Sequence, residues 1–191
     1  MSFYPERVND RFRTHERAGD PEGSSAEGTS ASFICGSFAT ILLRIDADTT
    51  LIEGARFHTN GCGFMTAAAD ILCESLTART LGELHGLPDA ELMELITDGL
   101  GGFPSDRVQC AAVVFEALRT ALIKYRIGRL EEFQGEKALV CTCFGVTEQT
   151  VADLISSQNL TRLEDVVRVS RAGSGCGSCR MLIQELIDSR S

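Results

Sequence analysis

Residues 37–59 read SFATILLRIDADTTLIEGARFHT, and this stretch decides the fold of the first part of the chain. Over residues 37–45 apolar side chains largely alternate with polar ones, as a half-buried strand requires. Residues 46–50 have the composition of a turn, and residues 51–59 form a second strand-like run. The stretch therefore predicts an antiparallel hairpin within a small sheet.

The segments on either side of this hairpin have the spacing of helices. Their apolar residues recur at intervals that place them on one helical face. In chain order these segments are an N-terminal one marked by Tyr4, Val8 and Phe12, then residues 65–76, 90–96 and 108–125. Residues 19–32 have no periodicity and are rich in Gly, Ser and acidic residues, so we expect a long, mobile loop there. The predicted fold class is α+β, with a small antiparallel sheet packed against helices.

The last third of the chain has the pattern of a separate, smaller unit. Residues 127–137 are charged and contain two glycines, a composition that suits an interdomain linker. Beyond them the sequence shows three short helical patterns and no strand pattern, which predicts a small all-helical domain. We therefore place a first domain at 1–128, a linker at 129–137 and a second domain at 138–191. A domain of roughly fifty residues has so small a core that it usually needs a bound metal or a similar cross-link to be stable.

Composition narrows the classes of function. The 191 residues carry a formal net charge of -9, which would repel nucleic acid, and the sequence has no block rich in Lys and Arg. The N-terminus lacks the apolar core of a signal peptide, and no run approaches the ~20 apolar residues of a membrane span. We therefore expect a cytoplasmic protein that binds neither nucleic acid nor membrane. Eight cysteines in that reducing compartment indicate metal or sulfur chemistry rather than disulfides.

Four of the cysteines form two close pairs in the second domain. Cys141 and Cys143 precede its first helix, and Cys176 and Cys179 lie in the glycine-rich turn AGSGCGSC that opens its last helix. Glycine lets a backbone curl around an inorganic core, and amides at helix N-termini stabilise thiolates and the negative charge of a thiolate-ligated cluster. The four thiolates are therefore predicted to bind one metal centre, for which a 2Fe-2S cluster is the leading candidate.

Two other uses of these cysteines stay open at this point. A structural zinc site usually draws its thiolates from Cys-x(2–4)-Cys knuckles on strands, whereas one pair here is Cys-x-Cys and no strand is predicted. A thioredoxin-like dithiol would leave Cys141 and Cys143 unexplained, and it lacks the βαβ context of that motif.

The motifs of the second domain have a known counterpart. CTCFGVTE is followed, about thirty residues later, by GCGSC. Over residues 139–186 this pattern resembles the bacterioferritin-associated-ferredoxin (BFD) type of 2Fe-2S domain, which is also found in the middle of the nitrogen-fixation scaffold protein NifU. The resemblance implies that all four thiolates ligate a single, permanent redox-active cluster within a short helical fold.

Three cysteines of the first domain stand beside the ends of predicted elements. Cys35 precedes the first strand, Cys62 starts a helix in NGCGF, and Cys110 lies near the start of the long helix. Thiols at such positions can converge into an open site, and helix N-termini lower their pKa. The alternative is that they are ordinary core residues. Cys73 lies on the same predicted helix as Cys62 but ~16 Å further along its axis, so we predict that it belongs to the core.

The sequence around these cysteines also has a known counterpart. It includes FICGSFATILLRID, FHTNGCGFMTAAADILCE and VQCAAVVFEALRTALIKY. Over residues 3–126 it resembles the IscU/NifU family of iron–sulfur assembly scaffolds, and no third, C-terminal scaffold (Nfu) domain follows, so we expect a shortened NifU. The resemblance implies a non-enzymatic scaffold. In it, Cys35, Cys62 and Cys110 receive sulfur as persulfide from a cysteine desulfurase, bind iron and build a transient cluster for apo iron–sulfur proteins.

Two positions differ from the usual pattern of that family. The family commonly has Asp two residues after the first cysteine and often has His just before the third, where this chain has Ser37 and Gln109. Ser and Gln are poor exchangeable ligands and poor proton acceptors. We therefore expect only three reliable protein ligands for iron or zinc at this site, and slower release of a cluster than in members with the Asp.

The leading function is thus an assembly scaffold with one transient and one permanent site. A second hypothesis is a 2Fe-2S electron carrier whose first domain is only a docking body, and a third is a zinc-stabilised interaction protein. The expected partners are a cysteine desulfurase, apo iron–sulfur proteins of nitrogen fixation or of general metabolism, an electron donor, and a second copy of the chain in a homodimer.

Overall fold

The structure, a computed structural model, describes residues 3–131 and 138–189. The chain divides into two compact units. The first is made of Met1–Ile45, Ile52–Arg79 and Gly86–Tyr125, and the second of Asp46–Leu51, Thr80–His85 and Arg126–Ser191. Within the described residues, no helix combines the length and the apolar character that crossing a membrane requires.

A three-stranded antiparallel sheet in the order β1-β2-β3 forms the framework of the first unit. The strands are β1 at Ala26–Ala31, β2 at Phe38–Ile45 and β3 at Ile52–Thr59. In the β2-β3 pair, Ile41 lies opposite Phe57, and both side chains are buried. The carboxylate of Asp46 accepts hydrogen bonds from the backbone N–H groups of Asp48 and Thr49, which closes the turn between the two strands. The predicted hairpin is therefore confirmed.

Within residues 3–131, four α-helices accompany this sheet, and each overlaps a helix predicted from the spacing of apolar residues. They are α1 at Glu6–Thr14, α2 at Gly63–Leu76, α3 at Asp89–Leu100 and α4 at Val108–Glu131. Helix α2 contacts β3, α1 and α3, and nearly all of its residues are buried. It therefore forms the centre of the core, and the predicted α+β class is confirmed.

Strand β1 corrects one prediction. A long, mobile loop was expected at residues 19–32, but part of that stretch forms this strand. The strand packs directly against the backbone of α4: a Cβ at Gly28 would lie 2.1 Å from the backbone nitrogen of Ala121. Such a close approach requires glycine. Packing therefore requires Gly28 in this strand, although the same glycine made the composition of the stretch look like that of a loop.

The predicted division of the chain lies partly outside the described residues. Residues 129–131 of the predicted linker belong to α4, and residues 132–137 are not among those described. The boundaries 1–128 and 138–191 stay predictions. Spacing alone did not indicate that two short segments from the first half of the chain would belong to the second unit.

The second unit is helical apart from one short hairpin. Its elements are β4 at Leu139–Cys141, β5 at Val146–Thr147, α5 at Glu148–Gln158, α6 at Leu163–Ser170 and α7 at Arg180–Asp188. Strands β4 and β5 pair antiparallel. The three predicted helices are confirmed, but the hairpin of β4 and β5 means that this part is not all-helical. The sequence did not predict these strands, because three and two residues are too few to show an alternating pattern. Val151, Val166 and Ile183 are fully buried in its core, together with cysteines.

Candidate metal centres

Four cysteines come together in the core of the second unit, and we call them the closed site. Cys141 ends β4, Cys143 lies in the turn to β5, Cys176 lies in the loop before α7, and Cys179 is the N-cap of that helix. All four are less than one-tenth exposed. Thiol–thiol hydrogen bonds link Cys141 to Cys143 and Cys179, and Cys143 to Cys176. The two predicted pairs, which are far apart in sequence, are therefore in direct contact.

Glycine allows the loop before α7 to close against the other pair. A Cβ at Gly175 would lie 2.9 Å from the Cβ of Cys143, 3.1 Å from its Sγ and 3.1 Å from the ring of Phe144. Gly177, between the two cysteines of the loop, adopts a φ of +76°, which favours glycine. We call the motif AGSGCGSC a cradle, because it leaves space beside the thiols that a larger residue at position 175 would fill.

Hydrogen bonds divide the thiols of the closed site into acceptors and donors. The pKa of Cys141 is lowered because Cys143 and Cys179 donate to it, and the pKa of Cys176 is lowered chiefly by donation from Cys143. The pKa values of Cys143 and Cys179 are raised, mainly through their hydrogen bonds with Cys141. The four thiols therefore titrate together, and their interactions favour the metal-ligating thiolate form within the group as a whole.

A chain of hydrogen bonds leads from the closed site to the surface. The hydroxyl of Ser178 lies 3.1 Å from the Sγ of Cys176, and the Nε2 of His85 lies 3.1 Å from the same hydroxyl. Sequence reasoning missed both residues. Ser178 could have been found because it lies inside the motif GCGSC, whereas nothing in the sequence near His85 indicates this contact.

Cys35, Cys62 and Cys110 lie in the first unit, and we call them the open site. Cys35 lies in the loop between β1 and β2, Cys62 is the N-cap of α2, and Cys110 is in the first turn of α4, as their sequence positions predicted. The Sγ atoms of Cys62 and Cys110 are 3.7 Å apart. Cys35 is exposed, Cys62 is half-buried and Cys110 is buried. The three thiols thus differ in access to solvent.

Cys35 stands on a tight loop that hydrogen bonds hold in shape. The N–H of Ser32 donates to the carbonyl oxygen of Ser37 at 2.7 Å, and the N–H of Gly36 donates to the carbonyl oxygen of Ser32 at 2.9 Å. Hydrogen bonds from the hydroxyls of Ser32 and then Ser37 lower the pKa of the Cys35 thiol to about 7. Ser37, considered from sequence only as a poor ligand, therefore acts as a donor to Cys35.

The thiols of the open site influence one another electrostatically. Burial raises the pKa of Cys110 to about 12, the contact with Cys62 adds to this, and Cys35 is near enough for its charge to contribute. Gln109 is half-buried on α4. Across residues 3–131 and 138–189, no three His, Cys, Asp or Glu side chains are arranged to hold a single metal ion. The three-ligand iron or zinc site and the four-thiolate ligand set of the closed site therefore both stay predictions.

Two further residues of the first unit, Tyr4 and Cys73, were singled out from the sequence. Tyr4 accepts a hydrogen bond from the N–H of Gly63 at 3.0 Å, and its ring packs edge-on against Phe64 with 5.3 Å between centroids. It covers the start of α2 beside Cys62, although sequence spacing had marked it only as part of an apolar stripe. Cys73 is fully buried, as predicted, and burial raises its pKa.

Comparisons with known proteins match both parts of the chain. The model of the NifU-like N terminal domain matches residues 3–132, and that of the BFD-like [2Fe-2S] binding domain matches residues 139–189. The chain is 34% identical over 174 residues to the nitrogen fixation protein NifU of Trichormus azollae, a match that covers 90% of this chain and 57% of that protein. It is 26% identical over 142 residues to the iron-sulfur cluster assembly scaffold protein IscU 1 of Archaeoglobus fulgidus, covering 72% of this chain and 89% of that one.

One solved structure supports the fold. It is that of a putative iron-sulfur cluster assembly scaffold protein for the SUF system from Fervidobacterium islandicum, with a TM-score of 0.51 and 20% identity. The similarity covers 62% of this chain and 96% of that chain. At that level of identity it establishes a common fold and nothing further.

Proposed function

This chain belongs to the NifU-like N-terminal domain family, and from that premise we propose that it is an iron–sulfur cluster assembly scaffold with two sites. The open site accepts sulfur from a cysteine desulfurase, binds iron and carries a transient cluster that passes to apo iron–sulfur proteins. The closed site holds a permanent 2Fe-2S cluster. The chain spans 57% of the length of the NifU relative from Trichormus azollae, so the activity of that longer protein is part of this proposal.

The observation that carries the proposal is the difference in burial between the two sets of cysteines. Every thiol of the closed site is buried in the core of the second unit. In the open site, Cys35 is exposed, Cys62 is half-buried and Cys110 alone is buried. A site that takes in sulfur and iron and gives up a cluster needs access for its donors and acceptors. A site that keeps its cluster is better served by burial, which excludes chelators and competing thiols.

Cys35 is the thiol best placed to receive sulfur in the open site. It lies on a loop whose neighbouring side chains, Phe33 and Ile34, are exposed and can contact a donor protein. In the step we propose, the Cys35 thiolate attacks the outer sulfur of a persulfide on the desulfurase. A new S–S bond forms at Cys35 as the S–S bond of the donor breaks, and the donor cysteine leaves as a thiolate.

The residues of the closed site fit a 2Fe-2S cluster. Four buried thiols belong to one core, and the glycine loop leaves space beside them. An all-thiolate set of four cysteines is the usual ligand set of a 2Fe-2S cluster. When bound, such a cluster supplies one-electron transfer, and Cys141, Cys143, Cys176 and Cys179 would hold it.

One observation favours the second hypothesis, an electron carrier with an inactive first domain. The positions beside the open-site cysteines carry Ser37 and Gln109, where the family commonly has Asp and often has His, and neither side chain is a good exchangeable ligand. If the open site never assembles a cluster, the closed site would still transfer electrons, and the first unit would serve only as a docking body.

Reconstitution separates these two functions. The full chain, isolated with its closed-site cluster, is incubated with a cysteine desulfurase, cysteine and ferrous iron, and iron, sulfide and visible absorption are followed per chain. A scaffold gains iron and sulfide beyond the isolated amount and then loses them to an apo-ferredoxin. Changing all three cysteines of the open site to Ser should abolish the gain and leave the original cluster in place.

Cys73→Ala is the matched control, because it removes a thiol from the same unit outside the open site. This variant should gain cluster like the unaltered protein. Absence of any gain in the unaltered protein would favour the electron carrier. A colourless protein containing zinc after anaerobic isolation would refute the assignment of the closed site.

A further inference from the structure

We propose that Ser178 and His85 form a hydrogen-bond relay that raises the reduction potential of the closed-site cluster by donating to the sulfur of Cys176. The inference rests on the proposed function of the closed site. It assigns Ser178 as the residue that contacts the ligand sulfur and His85 as a positioning residue that acts through Ser178.

The relay is built from two contacts of equal length. Ser178 Oγ lies 3.1 Å from Cys176 Sγ, and His85 Nε2 lies 3.1 Å from Ser178 Oγ. All three residues belong to the second unit. Cys176 is buried, whereas Ser178 and His85 are exposed. The relay therefore extends from a buried ligand to the protein surface.

The direction of both hydrogen bonds follows from counting protons. A ligating Cys176 is a thiolate, which can only accept. Ser178 has a single hydroxyl hydrogen, and it must point at the sulfur. The oxygen of Ser178 is then an acceptor toward His85, so Nε2 of His85 must carry the hydrogen. A donor behind Ser178 polarises its O–H group and strengthens the bond to sulfur.

The turn that carries His85 is held close to the cysteine loop. The carboxylate of Glu83 accepts from the N–H and the hydroxyl of Thr80 at 2.7 and 2.9 Å, which fixes the shape of the turn. A Cβ at Gly82 would lie 2.4 Å from the carbonyl oxygen of Gly175. The absence of a side chain at position 82 therefore allows the approach that brings His85 to Ser178.

A donor to a ligand sulfur affects the two redox states unequally. One-electron reduction adds negative charge to the cluster and its thiolates, so a hydrogen bond to Cys176 stabilises the reduced state more than the oxidised state. Hydrogen bonds to ligand sulfurs are a recognised determinant of cluster potential. Arg126 acts on Cys176 in the same sense through its charge, so the test variants leave it unchanged.

The test is a redox titration of the full chain, with the reduced cluster followed by electron paramagnetic resonance. Ser178→Ala should lower the midpoint potential, so that the reduced-to-oxidised ratio at the unaltered midpoint falls by about threefold to tenfold. A tenfold fall corresponds to about 59 mV for one electron. His85→Leu should lower the potential by less. His85→Gln should restore it, because the glutamine amide can donate from nearly the same position.

Matched variants separate the relay from general damage to the loop. Ser174→Ala, in the same loop, removes a hydroxyl that donates to the carbonyl oxygen of Arg171, and it should leave the potential unchanged. The double change of Ser178→Ala with His85→Leu should match Ser178→Ala alone, because His85 acts only through Ser178. If Ser178→Ala fails to retain the cluster, Ser178→Thr, which keeps the hydroxyl, and the two His85 variants supply the test.

Three outcomes would overturn the inference: an unchanged potential in Ser178→Ala, an unchanged potential in His85→Leu, or additive shifts in the double variant. These results would leave the cluster assignment intact. A protein isolated without any reducible cluster would instead refute the proposed function of the closed site and the relay with it.

Discussion

Replacing Gly175 by Ala tests the cradle around the closed site. The added Cβ would lie 2.9 Å from the Cβ of Cys143 and 3.1 Å from both its Sγ and the ring of Phe144. Cys143 is buried and its Cβ is fixed by the backbone, so it cannot swing aside like the end of a long side chain, and the half-buried ring of Phe144 adds to the crowding. Gly175 does not adopt a positive φ, so the variant tests the contact and not backbone strain.

The free-energy cost of Gly175→Ala can be estimated from the general behaviour of overpacked protein cores. Inserting one carbon into a well-packed site costs about 1–3 kcal/mol. If that cost falls on the cluster-bound state, retention of the cluster weakens by about 5-fold to 150-fold. We therefore expect less iron and sulfide per chain after isolation, and faster bleaching of visible absorption when an iron chelator is added.

Gly54→Ala is the matched control, because a Cβ at this strand position meets nothing within 4 Å. It should retain the cluster like the unaltered protein. If Gly175→Ala also has full iron and sulfide content and bleaches at the unaltered rate, the glycine loop does not shape the closed site, and the reasoning from close contacts is wrong.

Three further predictions concern the first unit. Gly28→Ala should lower the free energy of unfolding by about 3 kcal/mol, seen as a lower urea midpoint, because its Cβ would lie 2.1 Å from the backbone of Ala121. In cluster-free protein, alkylation of Cys35 should accelerate as pH rises through about 7, because its lowered pKa makes thiolate available there, and Ser37→Ala should move this rise to higher pH. Ser37→Asp should speed cluster transfer to an apo-ferredoxin, because a carboxylate can serve as an exchangeable ligand.

Each of these predictions has a control and a contrary result. Gly54→Ala should unfold at the unaltered urea midpoint, and an unchanged midpoint in Gly28→Ala would contradict the close packing of β1 on α4. Mass spectrometry of the peptide containing Cys35 separates it from the other thiols, and a rate that rises only near pH 9 would exclude the influence of the serine hydroxyls. An unchanged transfer rate in Ser37→Asp would show that the fourth ligand does not limit release.

Local patterns predicted most of the elements because they depend on neighbours in sequence. The hairpin follows from alternation over a few residues, and the helices follow from apolar spacing. Strand β1 was missed for the opposite reason. Gly28 is required by the backbone of α4, which lies some ninety residues later in the chain, so its place in a strand cannot be inferred from its neighbours. Strands β4 and β5 were missed because they are too short for any periodicity.

The candidate sites, like the fold, have features that the sequence predicted and features that it could not predict. The seven cysteines and their positions beside helix starts and loops could be recognised from spacing, and so could the two family resemblances. Which thiols touch could not be recognised. The 3.7 Å contact of Cys62 with Cys110 depends on how α2 and α4 pack, and the contact of Ser178 with His85 depends on where the turn carrying His85 lies.

By itself, the sequence determined which atoms are available for chemistry: two pairs of thiols in a glycine-rich setting and three more at the ends of elements. The tertiary structure decided how accessible each thiol is and which hydrogen bonds reach it. Cys35 is exposed and receives hydroxyl donors, whereas the four thiols of the closed site are buried in one core. The physical reason is that burial is set by residues distant in the chain, which only packing brings together. The donors to Cys35, Ser32 and Ser37, are near in sequence, but they reach the thiol only because the loop between β1 and β2 folds tightly.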